Sequence, residues 1–319
     1  MNRIAVVVLN FNGWDDTRLC LRSLEPLDAT VILVDNASNV NRLVEMQREF
    51  PRIQTIRNEV NGGWAGGNNV GIRAALEQGF DAVLLLNNDT TVSPRLFEVL
   101  RTSANAHPEY GILGPVIAFM DEPDKIMTDG CEFNHPGRDG FFQRKEVPPA
   151  EPPPVVEVEI VNGCAMLVKA DVFREVGLID DRFFLIHEES DFCLRAQAAC
   201  FRCGVVGATL VWHKGSSSFE RSGRKLQRYY DARNLYLLLN KHAATHHQGR
   251  GRWSSITRYV RYVYHRYCHE REAGNREAAD AVINGFCDAL AGNYGPLNGQ
   301  PHRGSGLVRK VFETAHRLH

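Results

Sequence analysis

The chain has 319 residues, 44% of them apolar and 24% charged, with a formal net charge of −1. That length and apolar content suit one large domain or two ordinary ones, and the near-neutral balance gives no reason to expect a nucleic-acid partner. No segment reaches the about 18 uncharged apolar residues of a membrane span, and the first apolar run stops at Asn10, short of a secretory signal.

Ile4–Leu9 is a continuous apolar run, as expected for a strand buried on both faces. Trp14–Leu24 carries apolar residues at helical spacing. Val31–Val34 predicts a second strand, ending in Asp35-Asn36. Leu43, Val44, Met46 and Phe50 predict a helix closed by Pro51, and Ile53–Ile56 a third strand. Asn68–Gln78 reads as a helix capped by Gly79. Val83–Leu86 is a fourth strand running into Asn87-Asn88-Asp89, and Pro94 opens another helix. Strand and helix alternating in this way predict an α/β fold with a doubly wound, mostly parallel central sheet. Ligands bind such sheets beyond the carboxyl ends of the strands, where Asn10-Phe11-Asn12, Asp35-Asn36 and Asn87-Asn88-Asp89 fall. Asn and Asp also favour turns on their own account, so the set counts for more than any member.

The pattern then changes. Phe119–Pro154 is rich in Gly, Pro and charge, and P-P-A-E-P-P-P at 148–154 predicts a loop or extended segment bordering the site. Val155–Val168 returns to strand character, Asp171–Gly177 is a short helix, and a helix follows His187-Glu188-Glu189-Ser190-Asp191. Val205–Trp212 is a strand ending at His213, and the chain reads as helical from Tyr229 onward. Of the eight cysteines only Cys200 and Cys203 are close, and no second pair completes a zinc site. Reduced thiols of a cytosolic protein are the expectation, since a redox or metal role for that pair requires a depressed thiol pKa.

Four features carry chemistry. Asp89, at a strand end, is a natural hard-oxygen ligand for Mg²⁺ or Mn²⁺ on a phosphate. His213 offers an imidazole to the same kind of ion, although a histidine after a strand is also an ordinary loop residue. Glu188, Glu189 and Asp191 could supply a general base, or could cap the helix that follows them. Asn61-Gly62-Gly63-Trp64-Ala65-Gly66-Gly67-Asn68-Asn69 is a permissive loop where backbone can approach a ligand, and it matches neither the dinucleotide nor the Walker glycine pattern.

Together these residues resemble a known family. The order V-V-L-N-F-N-G, V-D-N-A-S, N-G-G-W-A-G-G-N-N-x-G, L-L-N-N-D, N-G-C-A-M, H-E-E-S-D-F-C-L-R and V-W-H is similar to glycosyltransferase family 2, over residues 3–240. The similarity is to the branch of bacterial rhamnosyl- and galactofuranosyltransferases of cell-surface polysaccharide synthesis. The resemblance implies a GT-A fold, an inverting mechanism, and a dTDP- or UDP-sugar donor carrying rhamnose or another hexose. It places Asp35 on the nucleobase, with Asn10 and Asn12 assisting, and Asn36, Gly66, Gly67, Asn68, Asn87 and Asn88 around the nucleotide. It makes Asp89 the metal-binding end of a D-x-D motif, with His213 completing an Mn²⁺ or Mg²⁺ site. Glu189 takes the place of the catalytic base, supported by Glu188 and Asp191, and Gly163, Cys164, Ala165 and Met166 line the donor-sugar and acceptor region. Two positions depart from the family pattern: D-x-D is reduced to N-N-D, and Glu189 stands where an Asp is expected.

The same resemblance divides the chain into a catalytic domain at 1–240, with a nucleotide half at about 1–117 and an acceptor half at about 155–240, and a helical C-terminal region at 241–319. In that region Trp253, Ile256, Val260, Val263 and Tyr267 fall at helical spacing, with Arg258, Arg261 and His265 on another face. Such a helix could rest on an anionic membrane presenting a lipid-linked acceptor, on its own catalytic domain, or on a second subunit in a homodimer. The corresponding location is cytoplasmic, with peripheral contact at the inner membrane face left open. Two other classes compete with a transferase: a nucleotide-sugar-binding protein without activity, and a dinucleotide-dependent oxidoreductase, which the missing glycine fingerprint disfavours.

Overall fold

The structure is a computed structural model that describes residues 3–133, 141–147, 153–215, 224–243, 252–297 and 302–317, with backbone alone at 252–255 and 317. Its contacts form two compact units, Met1–Asp180 with Glu189–Gly215, and Asp181–Glu188 with Ser216–His319.

The first unit is built on a mixed sheet. Its elements in chain order are β1 (Ile4–Asn10), α1 (Trp14–Leu24), β2 (Thr30–Asp35), α2 (Leu43–Glu49), β3 (Gln54–Arg57), α3 (Gly63–Glu77), β4 (Ala82–Asn87), β5 (Thr90–Val92) and α4 (Leu96–Ala106). Then come β6 (Tyr110–Phe119), β7 (Ile126–Thr128), β8 (Cys131–Phe133), β9 (Phe142–Arg144), β10 (Val155–Glu157), β11 (Ala165–Lys169), α5 (Ala170–Val176), α6 (Glu188–Ala198) and β12 (Arg202–His213). The main strand order is β10-β12-β6-β11-β4-β1-β2-β3, with β5 on β12, β7 on β6, and a separate β8-β9 pair.

Alternation along β1 explains the layers. Ile4, Val6 and Val8 join a core with Leu21 and Leu24 of α1, Met46 of α2 and Leu100 of α4. Val7 and Leu9 point the other way, onto α3, so closely that a Cβ on Gly71 would lie 2.5 Å from Val7 and one on Gly67 2.6 Å from Leu9. This corrects the expected glycine loop. The helix starts at Gly63, five residues before Asn68, and takes in the whole Gly63–Asn69 stretch. Glycine costs a helix about 1 kcal/mol per residue, and here its missing Cβ permits close helix–sheet packing.

The sheet is parallel through β3, β2, β1 and β4, and between β6 and β12, as expected. β11 runs antiparallel between β4 and β6, and β10 antiparallel on β12. The stretch 155–168 is therefore not one strand. Its first part pairs with β12 and its last with β4, and between them Asn162 makes a turn by accepting the Cys164 N–H at 2.9 Å. Gly79 caps α3 as predicted, with φ +70° and its N–H on the Leu76 carbonyl. The prolines at 148–152 lie outside the described residues. Cys203 is buried, and its hydrogen bond with Cys193 and its burial both push its thiol pKa well up, opposite to what a redox or metal pair with Cys200 requires.

The second unit contains α7 (Arg224–Lys241), α8 (Arg252–Glu272), α9 (Arg276–Ala291) and α10 (Ser305–Arg317). The sequence boundary at residue 240 falls at the end of α7, which belongs with the C-terminal helices: a Cβ on Gly285 of α9 would lie 2.3 Å from the Tyr229 carbonyl oxygen. In α8, Tyr259, Val263 and Tyr267 are buried, with Tyr259 stacked on Phe286 and Tyr267 edge-on to Phe312. Of the stripe, Val263 and Tyr267 are thus packed within the unit, and Ile256 is half-buried. The side chain of Trp253 lies outside the described residues, and Val260, Arg261 and His265 are exposed. Among the described residues no helix is long and apolar enough to cross a membrane.

In segment 181–188, Phe184, Ile186 and His187 have positive φ. Asn234 donates its amide to the carbonyls of Phe183, Leu185 and Ile186 at 2.7, 2.7 and 2.9 Å, Arg233 donates to those of Arg182 and Phe183, and Asp231 bonds His187 at 3.1 Å. Three residues of one helical turn thereby offset a backbone that L-residues rarely adopt.

Candidate active site

The register of the first unit lines up the polar strand ends. Asn10 is level with Asp35, and Leu9 with Asn87. At the ends of β1 and β2 the side chains bond to one another. Asn10 donates to Asp35 Oδ1 at 3.3 Å and to Ser38 Oγ at 3.0 Å, while its own oxygen accepts from the Gly13 N–H and the Thr17 hydroxyl. Asp35 also accepts from the Ser38 N–H and from Arg57. It is fully buried. Asn36 accepts from the Asn58 side chain and the Gly62 N–H, and donates to Asn61 and the Gly63 carbonyl, pinning the entry to α3. Asn12 is exposed, at φ 57°, with its oxygen on the Asn39 N–H.

Within α3, Asn68 is buried with its amide on the Trp64 carbonyl, and Gly67 is packed on Leu9. Gly66, half-buried, hydrogen-bonds back to Gly62. Asn88 donates to the Gly13 carbonyl at 3.2 Å and to Thr17 at 2.9 Å, which ties the β4 end to α1. Ser38, Arg57 and Thr17 are the partners that sequence reading missed. Ser38 stands inside the quoted V-D-N-A-S run, but nothing local shows that Asn10 and Asn12 converge on it.

The ends of β4 and β12 are arranged differently. Antiparallel pairing of β12 with β5 sets His213 opposite Thr90. This brings His213 Nε2 within 2.9 Å of Asp89 Oδ1, 124 residues away in sequence. The two residues expected to share a metal are therefore adjacent. Lys214 follows, with its N–H on the Asp89 carbonyl at 3.0 Å and its ammonium on Asp16 at 2.8 Å. Beneath Asp89, burial raises the Cys20 thiol to about 12 and the Cys164 thiol well above its ordinary value, and the charge of Asp89 adds to both. Among the described residues the donors adjacent here are one carboxylate and one imidazole.

The third corner comes from β11 and α6. The Asn87 N–H bonds the Cys164 carbonyl at 2.9 Å, and the Asn87 side chain accepts from the Trp64 indole at 2.9 Å. That indole lies against Gly163: a Cβ there would be 3.0 Å from the ring and 3.4 Å from the Glu189 Cβ. Glu189 is half-buried, while Glu188 and Asp191 are buried. Asp191 forms an ion pair at 2.9 Å with Arg195, whose other donors hold the Val176 and Leu178 carbonyls, so it serves the fold. Glu189 also lies close enough to Cys131 to help burial raise that thiol to about 12. Ala165 and Met166 are fully buried, paired with Leu86 and Leu85 inside the sheet. They lie directly after the Asn162–Cys164 turn, within the sheet.

A family model for Glycosyl transferase family group 2 matches residues 82–267, and one for Glycosyl transferase family 2 matches residues 5–156. The chain belongs to glycosyltransferase family 2. This glycosyltransferase is 25% identical over 246 residues to the low-salt glycan biosynthesis hexosyltransferase Agl10 of Haloferax volcanii, covering 75% of this chain and 76% of that one. It is 25% identical over 251 residues to the dTDP-rhamnosyl transferase RfbF of Shigella flexneri, covering 75% and 80%. It is also 22% identical over 233 residues to an N-acetylglucosaminyl-diphospho-decaprenol L-rhamnosyltransferase of Mycobacterium tuberculosis, covering 65% and 74%. Among solved structures, GalNAc-T7 with UDP, GalNAc and Mn²⁺ superposes with a TM-score of 0.54 at 16% identity, over 66% of this chain and 43% of that one. S. aureus TarS 1-349 in complex with UDP superposes at 0.50 and 14% identity, over 95% and 97%. The fold of this glycosyltransferase is of the GT-A type, with its central sheet flanked by helices.

Does the site of this glycosyltransferase suit a divalent ion? Among the described residues no three His, Cys, Asp or Glu side chains gather, so the protein offers the pair Asp89 and His213. A carboxylate and an imidazole 2.9 Å apart are a donor set whose chemistry suits a divalent ion.

Proposed function

We propose that this enzyme transfers rhamnose or another hexose, with inversion, from a dTDP- or UDP-sugar to a hydroxyl of a glycan or lipid-linked acceptor. The observation that carries the proposal is the succession of neighbours Glu189–Gly163–Trp64–Asn87, which links half-buried Glu189 to the strand end that precedes Asp89. A carboxylate so placed can take the proton of an acceptor hydroxyl. The hydroxyl oxygen then bonds to the anomeric carbon from the face opposite the leaving diphosphate, and configuration inverts.

Asp89 and His213 would hold Mn²⁺ or Mg²⁺, which when bound neutralises charge on the departing diphosphate. Asn87 and Asn88, both half-buried, border the same strand end. Asp35 serves the base end by anchoring Arg57, whose half-exposed guanidinium is the group there that a base can meet. A lipid-linked acceptor is supported by the decaprenol-linked substrate in the name of the mycobacterial relative.

Glu189→Gln tests the reading. The expected outcome is a loss of about 10²-fold or more in donor consumption, with nucleotide affinity retained in calorimetry. Transfer near the wild-type rate would remove Glu189 from the role. A wild-type protein that binds the nucleotide sugar but consumes none with any acceptor would favour the binding-protein reading instead.

A further inference from the structure

Lys214 is a charged residue beside the strand ends that this scheme leaves unused. Its backbone is one hydrogen bond from Asp89, at 3.0 Å, and it directly follows His213. Its side chain reaches Asp16 in the first turn of α1, at 2.8 Å. The same turn is tied to the Asp89 strand end through Asn88, which donates to Gly13 and Thr17. The lysine side chain thus connects the end of β12 to the start of α1, alongside the residues that would meet the diphosphate.

The two ends of this ion pair are unlike. Asp16 is almost fully buried, at 9% side-chain exposure, whereas the Lys214 side chain is 46% exposed. A half-exposed ion pair is weakly held, and lysine carries its charge on a flexible four-carbon stem with three donors. A diphosphate brings more negative charge than Asp16, in oxygens that accept charge-assisted hydrogen bonds. The reduced N-N-D motif makes such a cation useful. With one carboxylate, the protein grips a divalent ion less firmly, and a lysine can hold the diphosphate by a contact that does not pass through the ion.

We infer that Lys214 is a binding residue for the donor's diphosphate, parked on Asp16 until the nucleotide arrives. The inference rests on the nucleotide-sugar reading above.

The test compares UDP with UMP, and dTDP with dTMP, by titration calorimetry of the full chain with Mn²⁺, in wild type, Lys214→Met, Lys214→Arg and Asp16→Asn. The preference for diphosphate over monophosphate should fall about tenfold in Lys214→Met, as for one charge-assisted hydrogen bond. It should return in large part in Lys214→Arg, and stay at or above the wild-type level in Asp16→Asn, where the lysine is released. An unchanged preference in Lys214→Met would overturn the inference. So would equal losses in Lys214→Met and Asp16→Asn, which would make the pair a tie between β12 and α1 and nothing more. Wild-type protein that binds neither UDP nor dTDP would overturn the nucleotide-sugar reading and this inference with it. Normal UDP binding with an unmoved preference would sink this inference alone.

Discussion

At the ends of β1 and β2, Asn10, Asp35 and Asn36 are buried and spend their hydrogen bonds on Ser38, Arg57, Thr17 and the entry to α3. At the ends of β4 and β12, Asp89 and His213 bond to each other, and Glu189 is half-buried beside Gly163. The residue types are alike and the positions equivalent, yet the first region is tied into the start of α1 and the entry to α3, while the second holds the groups to which the proposed function gives the chemistry. Position at a strand end is therefore not enough to make a residue functional. The hydrogen bonds it already makes inside the protein decide how much it has left for a ligand.

If the distinction holds, variants of the second region lose activity and keep stability, and variants of the first do the reverse. The largest expected effect is that of Glu189→Gln, whose rate loss should come with an unfolding midpoint close to wild type. A large fall in that midpoint would place Glu189 with the first region. Next is Asn10→Ala, which strips partners from four buried groups and should cost about 2–4 kcal/mol in urea unfolding. Native stability with lost nucleotide binding would place Asn10 among the ligand contacts instead. Asp89→Ala should abolish the Mn²⁺-dependent part of nucleotide affinity, and unchanged calorimetric affinity with Mn²⁺ present would count against the metal pair.

The smallest effect lies in the second unit and depends on pH. Burial pushes the Asp231 carboxyl up, but the hydrogen bond and charge of His187, the charge of Arg266 and the Tyr262 hydroxyl outweigh it and hold the group below its ordinary 3.8. A carboxyl lowered in the folded state stabilises fully above its unfolded pKa and loses that contribution as pH falls through the folded one. Thermal unfolding should show wild type losing its advantage over Asp231→Asn as pH drops below about 4. A stability difference that stayed constant down to pH 2 would show that Asp231 acts without its charge.

Much of this was legible in the residue order. The strand–helix alternation through Asp89 was read from local periodicity, and so was the cap at Gly79, because each depends on a few neighbouring residues. The glycine run was misplaced for the opposite reason: Gly67 and Gly71 are required by Val7 and Leu9, some sixty residues earlier, and no local signal separates a helix packed tightly on a sheet from a loop. Likewise the stripe on α8 has the same spacing whether its residues meet a lipid or, as Tyr267 does, Phe312.

The sequence by itself determined the family, the alternating architecture and the short set of polar residues from which a site could be made. Tertiary structure alone decided which of them were available. It inserted β11 antiparallel beside β4, laid Trp64 between Asn87 and Gly163, and closed Asp35 behind Arg57. Periodicity and turn chemistry act over a few residues, whereas burial and hydrogen-bond partnership join groups as far apart as Asp89 and His213, and only the folded chain brings such groups together.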